Sequence, residues 1–228
     1  QGEANKYAAT VEFFRESIRS LKPGGLFSIS SSVREFTVYA LKLIETARRA
    51  LEAEGVKDPA AHLVVVRSAW SARLLVFRDP VTAEEAKTLS AFCDRRSFDV
   101  SLCPGLKELP PIWNDLPPFA IDEESTFERT ETARDSLRRE GAALLSSENE
   151  KFRKEHFFNL EPATWDRPFF TSVLRLSKLP GIGRFLSLIP REEIAILINL
   201  TVMLQALILA FLVLSLPLLK RGTRPPEG

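Results

Sequence analysis

From Ala195 to Leu219 the chain runs twenty-five residues without a charge, and no soluble unit of this size can surround such a helix with other protein. Coiled as an α-helix the run is about 37 Å long. That exceeds the roughly 30 Å of bilayer hydrocarbon, so a tilted transmembrane helix is expected. Arg191 precedes the run and Lys220 and Arg221 close it. With basic residues on both sides, charge does not set the orientation. Thr201 and Gln205 fall four residues apart on one side, with Asn199 nearby. Polar groups in hydrocarbon need partners, so this polar face is expected to pack against other transmembrane helices, of the same full-length protein or of an oligomer. The competing reading makes Asn199 and Gln205 part of a carrier's path for polyamines or amino acids.

Ahead of this helix the composition changes in steps. Residues 1–103 read as an ordinary α/β domain, and 104–121 as a proline-rich linker, with five prolines between Pro104 and Pro118. Residues 122–168 form a densely charged helical extension, broken at Gly141, whose buried side carries Leu137, Leu144, Leu145 and Phe152. In 169–190, Phe, Leu and Val mix with Arg175, Lys178 and Arg184, as in an amphipathic membrane-proximal segment. Residues 191–221 are the span and 222–228 a tail. The net charge of +1 leaves no footprint for nucleic acid. Cys93 and Cys103 are too few for a disulfide framework or zinc site and read as reduced, partly buried thiols of a cytosolic domain. No metal site is expected. The chain opens on Gln1 without a signal-peptide pattern and is read as a fragment.

Local patterns place the elements. Thr10 caps a helix whose apolar positions are Val11, Phe14, Ile18 and Leu21, and Pro23-Gly24-Gly25 stops it. Leu26–Ile29 reads as a short buried strand. Ser32 and Glu35 have capping-box spacing, which opens a helix over Val33–Glu54 with Phe36, Ala40, Leu43, Ala47 and Leu51 on one face and Gly55 as its stop. Two β-rich runs, His62–Arg67 and Arg73–Arg78, stand so close that only an antiparallel hairpin joins them. Thr82 and Glu85 box another helix, and Ser97–Leu102 is a further strand. Neither Gly24-Gly25, which precedes a strand, nor Gly181-Ile-Gly183 has the context of a dinucleotide or phosphate loop.

The unit Ser20–Ser32, helix then Lys-Pro-Gly-Gly then strand then helix, resembles the second half of a class I S-adenosylmethionine-dependent methyltransferase. Tyr7-Ala-Ala-Thr-Val-Glu-Phe-Phe14 resembles a helix start of spermidine synthases. Glu161–Phe170 (Glu-Pro-Ala-Thr-Trp-Asp-Arg-Pro-Phe-Phe), followed by a membrane helix, is similar to a signature of bacterial membrane-bound spermidine-synthase-like proteins. The resemblance implies the C-terminal half of a Rossmann-like α/β sheet with a closing antiparallel hairpin, then the charged helical region and one transmembrane helix. It also implies S-adenosylmethionine or its decarboxylated form as cofactor, and a small amine as acceptor of a methyl or aminopropyl group. The soluble domain would be cytoplasmic, beneath an inner or plasma membrane. The glycine loop and the acids of that chemistry would lie upstream of this chain, so no catalytic residue is assigned within it.

In open α/β sheets ligands bind beyond the carboxyl ends of strands. That places Ser30, Ser31 and Ser32, at a helix N-terminus, on the expected substrate or cofactor rim. Tyr7, Asp166 and Arg167 join them, Asp166 and Arg167 with a local ion pair as their alternative role. His62 and His156 read as surface or packing residues. The rival reading is a catalytically inactive methyltransferase-like platform for a membrane complex or transporter.

Overall fold

The computed structural model describes residues 6–33, 36–116, 135–175, 177–178 and 191–221. The chain divides into two units, 1–183 and 184–228. The first is mixed α/β, built on a four-stranded antiparallel sheet.

Its first helix, α1 (Val11–Ser20), begins as expected: the Thr10 hydroxyl accepts from Phe13 N at 3.3 Å. Gly24, at φ +71°, makes the turn into strand β1 (Leu26–Ser32). The end of this strand differs from the sequence expectation. Ser30, Ser31 and Ser32 do not stand at a helix N-terminus; they continue β1, opposite Arg73, Ala72 and Ser71. Helix α2 (Val38–Ala53) starts six residues later, after Thr37, and the Ser32 hydroxyl donates to Trp70 O instead of capping it. Glu35, the other half of the expected capping box, lies outside the described residues. Strand pairing satisfies a backbone bond at every second residue, so the partner strand outcompetes a single side-chain cap.

The hairpin forms as expected from β2 (Leu63–Arg67) and β3 (Ser71–Phe77), followed by α3 (Ala83–Arg95) with its Thr82–Glu85 box and by β4 (Asp99–Leu102). Strand order is β1-β3-β2-β4, every neighbour antiparallel. Strand β3 therefore lies between β1 and β2, which run the same way and finish at one end of the sheet, called here the upper end.

Helices α1 and α2 cover one face through Phe14, Ile18, Leu43, Ile44 and Ala47 over Phe27, Val65, Leu74 and Val76. Among the described residues the other face is covered by α3 only toward β2 and β4, where Ala86 and Cys93 meet Val64, Phe77 and Val100. Cys93 and Cys103 are free thiols in that smaller core, with burial pushing Cys103 up to about 11. Along β1 the pattern alternates half-buried Phe27, Ile29 and Ser31 with exposed Leu26, Ser28, Ser30 and Ser32. Among the described residues the outer edge of β1 has no strand beside it.

The charged region packs onto this unit. Helix α4 (Ser136–Leu145) buries Leu137 and Leu144 against the core, and α5 (Asn149–Glu155) follows. Gly141 does not break the helix. It sits inside α4 because a Cβ there would come within 2.8 Å of Leu102 Cδ1 and 3.3 Å of Ile44 Cδ1. The first half of the charged run, the linker from Pro117 on, Gly181–Gly183, Arg184 and the tail fall outside the described residues.

The second unit contains α6 (Arg191–Arg221), with a mean hydropathy of 2.5 across Leu197–Ser215 and no residue of that window buried. It is long and apolar enough to cross a membrane. Thr201 and Gln205 share a side. Asn199 stands about 160° around the helix from Thr201 at 3.6 residues per turn, so the three do not form one polar face.

Candidate functional site

Connectivity carries the expected rim residues to the upper end of the sheet. Helix α1 is joined to β1 by a short turn and packs along it, the rings of Phe14 and Phe27 lying 5.1 Å apart edge to face. The two therefore run antiparallel, and the start of α1 lies beside the end of β1. Tyr7 precedes that start in a 3-10 turn (Lys6–Ala9), its carbonyl accepting from the Thr10 hydroxyl at 2.7 Å.

The segment holding Asp166 and Arg167 is brought there by backbone pairing. Val11 N donates to Ala163 O at 3.0 Å, and Trp165 N donates to Glu12 Oε2 at 3.0 Å. A tight turn then pairs Thr164 with Arg167. Asp166 accepts from the Thr164 hydroxyl at 2.5 Å, which with a backbone bond holds its carboxyl below the usual range. Its closest approach to the Arg167 guanidinium is 4.0 Å, with both side chains more than three-quarters exposed. A pair so open to water contributes little.

The three serines separate. Ser30 and Ser32 face solvent on the uncovered side of β1. Ser31 turns the other way and lines a cavity of about 10 Å³ with Ala40, Leu43, Ile44 and Ala72. Such a space holds at most one water and no substrate. Below Ser30, Arg73 Nη1 donates to the Ser28 hydroxyl at 3.3 Å.

Two polar clusters had no signal in the sequence. Where β2 ends, Arg67 is fully buried, its Nε 2.9 Å from Asp135 Oδ2 and its Nη1 3.0 Å from Asp99 Oδ2. Asp135 also accepts from Ser101 and caps α4 through Arg138 N, while Asp99 accepts from Trp113 N and Asn114 N. The second is Lys42 on α2, 2% exposed, whose Nζ donates to Phe170 O at 2.8 Å and Ser172 O at 2.9 Å. Lys42 lies more than 120 residues from the carbonyls it bonds, and Arg67 more than 30 from Asp99 and Asp135, so no spacing announces either. The Arg67 cluster fastens the start of α4 and the segment around Trp113 to the sheet, and Lys42 fastens residues 169–172 to α2.

The two histidines are packing residues. His62 is buried with Nδ1 3.2 Å from Phe77 O, and burial lowers the His156 imidazole below its usual value. Among the described residues no group of acids, cysteines and histidines has a metal-binding arrangement. On α6, Asn199, Thr201 and Gln205 are all exposed, and the Thr201 hydroxyl donates to Leu197 O at 2.8 Å. No family model, curated protein or solved structure matches the chain.

Proposed function

We propose that the chain is the closing half of a membrane-anchored, spermidine-synthase-like transferase that moves a methyl or aminopropyl group from an S-adenosylmethionine-type cofactor to a small amine. The observation that carries this reading is the strand order. The second strand of the hairpin lies between β1 and β2, antiparallel to both, with α1 and α2 on one face, which is the arrangement the resemblance implies for the last part of that sheet. Among the described residues no strand lies beside the outer edge of β1, the edge at which further strands would join, and this supports the reading. Tyr7, Ser30, Ser32, Asp166 and Arg167 share the upper end, the end at which such sheets bind ligands. Helix α6 then anchors the domain, on the cytosolic side because the cofactor is made there.

The residues present do not by themselves fit the cofactor. Gly24 and Gly25 precede β1 rather than follow a strand, and Ser31 faces the core cavity instead of a ligand. The chain's share is thus a rim and an anchor. Two measurements test this. Membranes carrying the natural protein that contains this sequence are assayed with labelled S-adenosylmethionine and its decarboxylated form against a panel of amines. No transfer with either cofactor overturns the proposal. The isolated chain in detergent should bind neither cofactor tightly, and tight stoichiometric binding would show that the rim-only assignment is wrong.

The second reading is an inactive platform for membrane assemblies, favoured by Ser31, one of the three expected rim residues, turning to the core side of β1 and lining a cavity that holds at most one water. Retention of a membrane complex by a protein that transfers nothing would select it.

A further inference from the structure

All three tryptophans of the chain stand at the upper end of the sheet, and all three are more than half exposed: Trp70 57%, Trp113 59%, Trp165 56%. Trp70 occupies the β2–β3 turn, its carbonyl accepting from Val33 N just past the end of β1. Trp113 N is bonded to Asp99, the residue paired with Arg67 where β2 finishes. Trp165 is tied to the start of α1 through Glu12. Exposed Tyr7 and Phe98 flank them. At the opposite end, among the described residues of the first unit, Leu26 is the large apolar side chain left in water. Tryptophan is ordinarily among the well-covered residues. These three are held out on braced backbones: Ser68 Oγ accepts from Trp70 N at 3.2 Å, and carboxylates hold the other two.

From this placement we infer that the upper end of the domain beds into the headgroup layer of a lipid bilayer. Indole rings, with an apolar body and one N–H donor, favour the membrane–water boundary over both water and hydrocarbon. The occupant follows from the chain itself, because it also carries a membrane-length helix, and a tether of this kind holds the domain at high effective concentration against that membrane. The charge pattern then selects the mode of contact. Charges of both signs stand at this end, Arg73, Arg95, Arg96 and Arg167 with Asp94, Asp115 and Asp166, so the contact is chiefly aromatic rather than a basic patch on anionic lipid, and it largely persists in salt. The inference rests on the membrane-anchoring part of the proposed function and is independent of its chemistry.

Helix α6 contains no tryptophan, so indole emission reports the domain alone. The full chain is reconstituted in phosphatidylcholine vesicles containing lipids brominated close to the headgroup, and single-tryptophan versions are made by replacing the other two with Phe. Each of the three sites should lose emission to the bromolipid and shift to the blue, at low and high salt alike. A control carrying Lys57→Trp at the opposite end, with Trp70, Trp113 and Trp165 all replaced by Phe, should stay unquenched. A chain that fails to float with the vesicles removes the anchoring reading. A chain that floats while its three native indoles remain unquenched and open to acrylamide overturns this inference alone. Equal quenching at Lys57→Trp overturns it too, because the contact would then have no preferred end. Indoles unquenched by lipid yet shielded from acrylamide also overturn it and point to a protein surface instead.

Discussion

Glu140 lies on the face of α4 turned to the core, 5% exposed, with Oε2 lacking a hydrogen-bond partner among the described residues and Oε1 3.7 Å from Arg139 Nη2. Burial pushes its carboxyl from 4.5 up to about 7, with Arg139 only partly opposing the rise. The folded state therefore holds a proton that the unfolded chain releases near pH 4.5. Below that pH the residue costs nothing. As pH climbs through the window from 4.5 to about 7, stability falls, and above it the full penalty stands. At about 1.4 kcal/mol per unit the penalty reaches about 3 kcal/mol. Glu140→Gln keeps the shape and removes the charge, so it should raise stability at pH 8 by up to about 3 kcal/mol and change little at pH 5. His156 works in the opposite sense: its lowered imidazole makes the fold gain stability as pH rises toward its ordinary value of 6.5, above which nothing further is gained. The difference between wild type and Glu140→Gln cancels that contribution. Urea unfolding in detergent at pH 5 and pH 8, followed by tryptophan emission, reads the effect as a shift in midpoint at constant slope. If the variant keeps the wild-type pH dependence, or is less stable at pH 8, the argument from burial is refuted.

Three further substitutions probe the segments fastened to the sheet and to α2. Arg67→Met strands Asp99 and Asp135 as buried, uncompensated carboxylates, and should cost about 3–5 kcal/mol in the same urea assay; a loss below about 1 kcal/mol would mean that water reaches the cluster. Gly141→Ala adds a methyl group against Leu102 and Ile44 and should destabilise by about 1 kcal/mol after the better helix propensity of alanine is set against overpacking. A net gain in urea midpoint would show that the two side chains move aside freely. Lys42→Met leaves the Phe170 and Ser172 carbonyls without their donor, at about 1–3 kcal/mol, and limited proteolysis should cut sooner between residues 169 and 178. Unchanged cutting would show that the lysine does not hold that segment.

What could be read from the sequence was whatever local contacts decide. Thr10 and the Thr82–Glu85 pair act within one turn of their own helices, and a three-residue gap between Arg67 and Ser71 leaves the chain no connection but a hairpin. Ser32 and Glu35 show where that reasoning fails. Their spacing is as good as that of Thr82 and Glu85, yet Ser32 lies opposite Ser71 in the sheet, and a non-local partner prevails over a local signal. Gly141 fails in a second way: its sequence neighbours are ordinary helix formers, and the reason for glycine is a leucine on β4 and an isoleucine on α2. Resemblance located Tyr7, Asp166 and Arg167, and connectivity explains why residues so far apart share one end.

The same logic makes the ends of the sheet chemically unequal. Trp70, Trp113 and Trp165 are separated by 43 and 52 residues, so each alone reads as a stray exposed aromatic. Only the parallel run of β1 and β2, imposed by β3 between them, gathers the turn after β2, the strap bonded to Asp99 and the strap bonded to Glu12 at one place. Three indoles more than half exposed bury less apolar surface than covered ones would, so they add less to folding than their size allows. The clustered exposure is therefore better explained by contact with a surface than by the needs of the fold. On the proposed function and the inferred contact taken together, an acceptor reaching Ser30, Ser32 and Arg167 would approach along the membrane interface.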